Sequence, residues 1–159
     1  AKPTGRLAMA AMTANRAAAG GTAGFDPGQF DEPVGVAVSP SGTVYVTDTW
    51  NQRIQAFTPS EDGKFYFPSL QWDVVGWYGQ SLDNKPFIAV SPTGDVFITD
   101  PEGYRIIEYT ADGQPVRTWG DFGNGPDEIG LAAGVTVDRL GFVWVTDAGN
   151  NRILKYKLP

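Results

Sequence analysis

The sequence predicts an all-β protein built from several copies of one small antiparallel sheet. Three observations lead to this prediction. The strings "GTVYVTD", "GDVFITD" and "GFVWVTD" recur, and in each copy Arg-Ile follows five residues after the aspartate. A second shared piece, "VAVSPSG", "IAVSPTG" and "VTVDRLG", leads into them. The 20 Gly and 12 Pro among 159 residues are typical of a chain with many turns between short strands.

Each copy is predicted to form three strands in chain order. In the first copy, residues 36–38 ("VAV") form a strand, and "SPSG" forms a tight turn in which glycine supplies an unusual backbone conformation. Residues 43–48 ("TVYVTD") form the second strand. After the loop at 49–52, residues 53–57 ("RIQAF") form the third. A fourth strand is predicted in the first two copies, within 71–77 and 115–120.

The second strand indicates how the sheets pack. Val44 and Val46 lie on one face and Tyr45 on the other, so both faces are apolar. A single antiparallel sheet facing water would instead alternate apolar and polar residues. The repeated aspartates fall at positions 48, 100 and 147, which are 52 and then 47 residues apart. Small sheets covered on both faces and repeated at this spacing are typical of β-propeller blades.

The repeats occupy residues 25–159, and residues 1–24 form an Ala/Gly-rich tail or linker with nine Ala. Three blades make only half of a six-bladed propeller, and closed propellers have about four to eight. The ring is expected to close in one of three ways: with a second chain, with further blades of a larger protein, or with another subunit. The start at "AKPTG", without Met, indicates a processed or excised piece of something longer.

Composition excludes several function classes. The chain has no His and no Cys, so it lacks the usual general base, the thiol nucleophile and the commonest metal ligands. Residues 25–159 hold all 18 acidic residues against nine basic ones, which argues against a nucleic acid partner. No stretch has the roughly 20 apolar residues that a membrane span needs. We expect no cofactor, and we favour an extracytoplasmic or cell-surface location.

The repeated aspartates and arginines are the first candidate site residues. One interpretation makes the aspartates a ring of metal or substrate ligands. The other is that each aspartate ends its strand by accepting hydrogen bonds from loop amides and pairs with its own arginine. We favour the structural interpretation, because an element present in every repeat usually builds the repeat. The residues concerned are Asp48, Arg53, Asp100, Arg105, Asp147 and Arg152.

The loops between these residues differ among the copies, and variable loops on a constant scaffold often carry recognition. Trp50, Asn51, Tyr104 and Asn150 are therefore predicted to bind a partner, although the two aromatic residues are equally suited to packing against the next blade. The connector "GDFGNGPDEIG" resembles a calcium loop only in composition, because its spacing does not fit the ligand series. The remaining tryptophans at fourth-strand positions are predicted core residues: Trp72, Trp77 and Trp119.

The units resemble NHL repeats, a family of β-propellers. The resemblance rests on the entry "GQFDEPVGVAV" (28–38), the "G-x-V-Y-V-T-D" strand and the following "N-x-R-I", and the third copy matches best. The second copy departs, since Glu-Gly-Tyr stands where Asn or His is usual, and one residue near Pro86 is missing. The resemblance implies a non-catalytic scaffold that binds protein, in a larger protein or an oligomer, with a glycan or small ligand as further options. Its alternative is a metal-dependent enzyme of the lyase or lactonase type.

Overall fold

The computed structural model describes residues 22–78 and 84–157, and these form three antiparallel sheets, here called blades 1, 2 and 3. In each blade the strands lie side by side in chain order. The predicted tail at 1–24 lies almost entirely outside the described residues.

Blade 1 contains β1 (Pro33–Val38), β2 (Val44–Asp48), β3 (Arg53–Pro59) and β4 (Tyr66–Asp73). Blade 2 contains β5 (Ile88–Val90), β6 (Val96–Asp100), β7 (Arg105–Tyr109) and β8 (Pro115–Trp119). Blade 3 contains β9 (Ala132–Val137), β10 (Phe142–Asp147) and β11 (Arg152–Lys157).

The first two strands of each blade are joined by the predicted tight turn. In blade 1 the N–H of Gly42 donates to the carbonyl oxygen of Ser39 at 2.9 Å. Gly42 has a φ of 87°, a region that side chains with a Cβ rarely adopt, and Gly94 and Gly141 repeat this conformation. The recurring glycine is therefore required by the backbone of the turn.

The fourth strand of blade 1 lies earlier in the chain than predicted. The sequence predicts it within 71–77, whereas β4 covers Tyr66–Asp73 and pairs with the whole length of β3. Asp73 already lies opposite Arg53, the first residue of β3, so later residues have no strand beside them. They form a short 3₁₀ helix at Val75–Trp77 instead. The fourth strand of blade 2 is confirmed at Pro115–Trp119.

Two apolar cores lie between the blades. The core between blades 1 and 2 includes Tyr45, Ile54 and Ile98, together with the fully buried Trp77. The core between blades 2 and 3 includes Phe97 and Val145. Trp72 and Trp119 are partly buried and pack against these cores, as predicted for the space between blades, while Trp77 reaches it from the 3₁₀ helix rather than from a strand.

The blades converge at their first strands. β1 contacts β5, and β5 contacts β9, so these three strands form the inner side of the stack. The third blade has three strands within the described part of the chain. In that part no helix has the length and apolar character to cross a membrane.

Candidate functional site

The variable loops of all three blades lie at one edge of the stack. Asp48 at the end of β2 pairs with Arg53 at the start of β3, and Pro33 at the start of β1 lies on the other side of Asp48. Lys85, which leads into β5, contacts Glu32, which leads into β1, so the edges of neighbouring blades adjoin. We call this surface the loop edge. It comprises residues 22–32, 49–52, 74–78, 84–87, 101–104, 120–131 and 148–151.

Asp48 is a fully buried acceptor at the loop edge of blade 1. Its Oδ1 accepts a hydrogen bond from the backbone N–H of Asp31 at 2.7 Å. Its Oδ2 accepts from Nε of Arg53 at 2.7 Å and from the side-chain amides of Asn51 and Gln55, each at 2.9 Å. A buried carboxylate is tolerated when it is paired and hydrogen-bonded in this way.

Arg53 extends this contact to the connector that precedes β1. Its Nη1 donates to the carbonyl oxygen of Phe25 at 2.6 Å, and its Nη2 to that of Gln29 at 3.0 Å. Nη1 also reaches Oε1 of Gln71 on β4 at 3.1 Å. One guanidinium therefore joins the connector, the aspartate and the outermost strand of the blade.

Blade 3 repeats the arrangement. Oδ1 of Asp147 accepts from the backbone N–H groups of Gly130 and Leu131 at 2.9 and 3.0 Å. Its Oδ2 accepts from Asn150 at 2.8 Å and from Nε of Arg152 at 2.9 Å. Arg152 then donates, at 2.6 to 2.8 Å, to the carbonyl oxygens of Asn124, Gly125 and Glu128. The connector with calcium-like composition thus presents its carbonyl oxygens to an arginine.

Blade 2 keeps the ion pair but changes the loop. Nε of Arg105 lies 2.7 Å from Oδ2 of the fully buried Asp100. At the position of the two asparagines stands Gly103, whose backbone N–H donates to Oδ1 of Asp100 at 3.1 Å. A Cβ on Gly103 would collide with that carboxylate, so the position requires glycine. The loop of blade 2 therefore supplies a backbone donor to Oδ1, whereas the asparagines of blades 1 and 3 donate to Oδ2.

The donors around Asp147 stabilise its charged form. Burial raises the pKa of this carboxyl, but the hydrogen bonds from Asn150, the Leu131 and Gly130 backbone and Arg152 together outweigh that effect, so the pKa lies below its ordinary value. A carboxyl whose pKa is lowered on folding stabilises the protein above its unfolded pKa, and this contribution is lost as the pH falls through its folded pKa.

We therefore expect Asp147→Asn to lower the free energy of unfolding at neutral pH. On acidification, the unfolding free energy of the variant should fall by less than that of the wild type. The difference between the two unfolding free energies should narrow as the pH falls below about 4, the ordinary pKa of an unfolded aspartate, and should go on narrowing until the pH has passed the lower pKa of the folded carboxyl. Urea unfolding at a series of pH values measures it. A constant difference across that range would contradict the role of the charge.

The loop edge also exposes a set of aromatic side chains. Phe25 and Phe122, which lie in the connectors before β1 and before β9, are 73% and 71% exposed. Trp50, Tyr78 and Phe87 are exposed as well. Singly exposed apolar residues are ordinary, but several on one surface indicate a place where another molecule packs.

Trp50 lies in a polar cluster between blades 1 and 2. Its Nε1 donates to Oε2 of Glu32, and Nζ of Lys85 lies 3.2 Å from the same oxygen and 5.0 Å from the centre of the indole ring. The hydrogen bond from Trp50, followed by Lys85, lowers the pKa of Glu32, so the carboxylate stays charged. These contacts fix the position of the partly exposed ring.

Tyr104 contacts the exposed Phe122, with the ring centres 4.7 Å apart. It occupies the loop position directly before the arginine, where the backbone is left-handed in every blade. The φ values are 55° at Gln52, 56° at Tyr104 and 52° at Asn151. Asparagine tolerates this conformation well, whereas a tyrosine there is strained by about 1 kcal/mol or more. Tyr104 and Phe122 therefore form an aromatic pair beside blade 2, and the backbone of Tyr104 is strained in this arrangement.

The loop edge is acidic. Lys85 is the only lysine or arginine among its described residues, and it is paired with Glu32. The arginines of the repeats are paired with their aspartates. The Arg53 side chain is 6% exposed, and those of Arg152 and Arg105 are 27% and 37% exposed. The carboxylates of the loop edge are Asp26, Asp31, Glu32, Glu102, Asp121, Asp127 and Glu128.

The structure places the four predicted partner-binding residues in two different environments. Trp50 and Tyr104 lie at the surface of the loop edge, as described above. Asn51 and Asn150 turn inward, where their amides donate to the carbonyl oxygens of Gly24 and Gly123 at 2.9 and 2.7 Å. Partner binding by these four residues stays a prediction. Trp50 and Tyr104, whose side chains lie at the surface, have the geometry that such binding needs.

Sequence reasoning missed Phe25, Phe122 and Lys85. A signal was present for the two phenylalanines, since each stands beside Gly and Asp in a connector with no strand pattern around it. Lys85 could not be found in this way, because its contact with Glu32 joins two different repeats. Within residues 22–78 and 84–157 no group of three or more His, Cys, Asp or Glu residues is arranged to hold a metal ion.

These features define a class of protein: a stack of β-propeller blades joined by ion-paired connectors. The sequence profile of the NHL repeat matches residues 30–57 and 130–156. The chain thus contains NHL repeats.

Its relatives carry the same repeat. It is 38% identical over 75 residues to NHL repeat-containing protein 3 of Homo sapiens, covering 45% of this chain and 22% of that protein. It is 33% identical to protein brain tumor of Drosophila melanogaster, covering 84% and 12%, and 32% identical to the E3 ubiquitin-protein ligase TRIM71 of Rattus norvegicus, covering 77% and 13%. The chain therefore spans less than a quarter of the length of these relatives.

Solved structures agree on the fold. A streptogramin B lyase matches with a TM-score of 0.53 at 21% identity, over 80% of this chain and 41% of the lyase. A gluconolactonase from Xanthomonas campestris matches with a TM-score of 0.54 at 21% identity, over 82% and 39%. At this identity the likeness concerns the propeller architecture, which hosts many unrelated functions.

Proposed function

We propose that this chain is a non-catalytic protein-binding scaffold, acting within a larger protein or an oligomer. Its loop edge binds a partner segment that combines Lys or Arg with apolar side chains. The observation that carries this proposal is the set of exposed aromatic rings on a surface whose described residues include seven carboxylates and one lysine.

The chemistry of the loop edge favours such a segment over other ligands. Exposed aromatic rings bind aliphatic side chains and the cationic groups of Lys and Arg. The carboxylates around Phe25 and Phe122 attract the same cations and repel an acidic partner. The repeated ion pairs fix the connectors, so the aromatic rings are presented from an ordered backbone and lose little freedom on binding.

The relatives support a protein as the partner. The rat relative is named an E3 ubiquitin-protein ligase, and a ligase of that name acts on proteins. Its match to this chain extends over 77% of the chain.

A direct test uses a synthetic peptide of alternating arginine and leucine, with an alternating glutamate and leucine peptide as its counterpart. We expect the basic peptide to bind, with an affinity that falls as salt is raised, and the acidic peptide not to bind. Phe122→Ser and Trp50→Ser should each weaken binding about fivefold or more, since losing an aromatic anchor typically costs more than 1 kcal/mol. Isothermal titration calorimetry measures the affinities.

The chain offers a matched control for these substitutions. Phe65 is also exposed, but it lies in the turn between β3 and β4, at the opposite edge of blade 1. Phe65→Ser should leave binding of the basic peptide unchanged. The proposal fails if both peptides bind alike, or if Phe122→Ser and Trp50→Ser bind the basic peptide as the wild type does.

A further inference from the structure

Glu32 presents a carboxylate of which the described part of the chain uses only one oxygen. Its Oε2 accepts the indole N–H of Trp50 and lies 3.2 Å from Nζ of Lys85. Its other oxygen, Oε1, receives no hydrogen bond or ion pair from the described residues. The Glu32 side chain is 47% exposed, so a ligand can approach this carboxylate from solvent.

Lys85 shows that this position holds a cation. Its ammonium lies 5.0 Å from the centre of the Trp50 ring as well as beside Glu32. A cation within about 6 Å of an aromatic ring centre is attracted by the electrons of the ring face, and tryptophan attracts it best. The carboxylate and the ring therefore attract the same group together.

The cluster of Glu32, Trp50 and Lys85 is not part of the repeat. Trp50 is the second residue after the repeated aspartate, and the equivalent residues of blades 2 and 3 are Glu102 and Gly149. Both of those blades form their sheets without an aromatic residue there. Ion pairs open to solvent also contribute little to stability. A role in binding therefore explains the cluster better than a role in folding.

Of the two basic side chains, arginine fits the cluster better. A lysine ammonium is a compact charge, whereas a guanidinium is planar and binds both oxygens of a carboxylate through parallel N–H groups. A guanidinium also stacks on aromatic rings. An arginine in place of Lys85 would reach Oε1 as well as Oε2 of Glu32, and it would cover the ring of Trp50, which is 42% exposed.

We propose that Glu32 and Trp50 form an arginine-binding site at the loop edge, and that Lys85 occupies this site until an arginine of the partner segment displaces it. The inference rests on the proposed function and narrows the partner to a segment with arginine at this position. Displacement costs little, because the Lys85 side chain is already 31% exposed and its ammonium can return to water. Lys85 is thus an internal competitor that lowers the affinity of the loop edge for cations.

The first test compares the arginine–leucine peptide with a lysine–leucine peptide of the same length and charge by isothermal titration calorimetry. We expect the arginine peptide to bind at least about threefold more tightly, since only the guanidinium can use both oxygens of Glu32. Glu32→Gln should bring the two affinities close together. Glu102→Gln is the matched control, because it removes the same charge from a carboxylate that accepts from Asn84 instead of from an aromatic ring. It should weaken both peptides alike and keep the preference for arginine.

Lys85→Gln tests the displacement. We expect this variant to bind the arginine–leucine peptide about two- to fivefold more tightly than the wild type, because no internal cation has to leave. Lys64→Gln removes the same charge from the turn between β3 and β4, at the opposite edge of blade 1, and should change the affinity far less. Equal gains in the two variants, or no gain in Lys85→Gln, would overturn the displacement.

The outcomes separate this inference from the proposed function. If the arginine–leucine peptide binds and Phe122→Ser weakens it, but Glu32→Gln keeps the preference for arginine, the loop edge binds its partner and the arginine site is wrong. If neither basic peptide binds the wild type, the proposed function and the inference both fail.

Discussion

Replacing Asp48 with alanine is expected to destabilise the chain by about 3–5 kcal/mol, the usual cost of removing one partner from a buried ion pair. Asp48 is fully buried and the Arg53 side chain is 6% exposed, so the remaining guanidinium has little access to water. The connector bound by Arg53 is expected to loosen as well, because the arginine is held in place by the aspartate. The midpoint and slope of urea unfolding measure the loss.

Two further substitutions calibrate this expectation. Asp147→Ala should cost less than Asp48→Ala, because the Arg152 side chain is 27% exposed and water can solvate it in part. Asp62→Ala removes an exposed carboxylate paired with Lys64 at 3.3 Å and should change the free energy of unfolding far less than Asp48→Ala does. Equal losses for Asp48 and Asp62 would mean that the repeated ion pair does not stabilise the blade.

Replacing Trp77 with alanine is the second large effect, also expected at about 3–5 kcal/mol. Trp77 is fully buried in the core between blades 1 and 2, and its removal leaves a cavity that the rigid sheets on either side cannot fill. Thermal unfolding followed by circular dichroism, together with urea titration, measures this loss. The expected signature is a lower midpoint with the β-sheet spectrum of the folded state retained.

Tyr78 provides the neighbouring control. It directly follows Trp77, is 52% exposed, and donates a hydrogen bond to Asp73 at 2.9 Å. Tyr78→Ala should lower the free energy of unfolding far less than Trp77→Ala does, as is usual for surface positions. A similar loss for both variants would indicate that the aromatic ring of Trp77 does not link the two blades.

Repetition is what made the strands of this chain predictable. The turn glycines, the second and third strands and the apolar character of both faces each occur three times, and the pattern is set locally by backbone conformation and by alternation along a strand. The start of β4 was less predictable. It depends on how far β3 continues past Phe57, and strand pairing across a turn of variable length leaves only a weak signal in the sequence.

The candidate site was predictable only in part, because contacts between distant parts of the chain leave little signal in the sequence. The pairing of Asp48 with Arg53 follows from their fixed spacing across one loop. The contacts of Arg53 with the carbonyl oxygens of Phe25 and Gln29 do not, because any residue can supply a backbone oxygen. The cluster of Trp50 with Lys85 joins residues from two repeats and depends on how the blades stack.

The five tryptophans offer the most direct measurement of the central claim, that partner binding occurs at the loop edge while the rest of the blade is structural. Their indole N–H groups give separate signals in a nitrogen–proton correlation spectrum. Trp50 lies at the loop edge, Trp144 on the outer face of blade 3, and the remaining three are associated with the cores between blades. On titration with the arginine–leucine peptide, we predict that the Trp50 signal shifts and the other four stay in place. A shift of Trp144 without a shift of Trp50 would contradict the account, because the peptide would then bind the face of a blade instead of the loop edge.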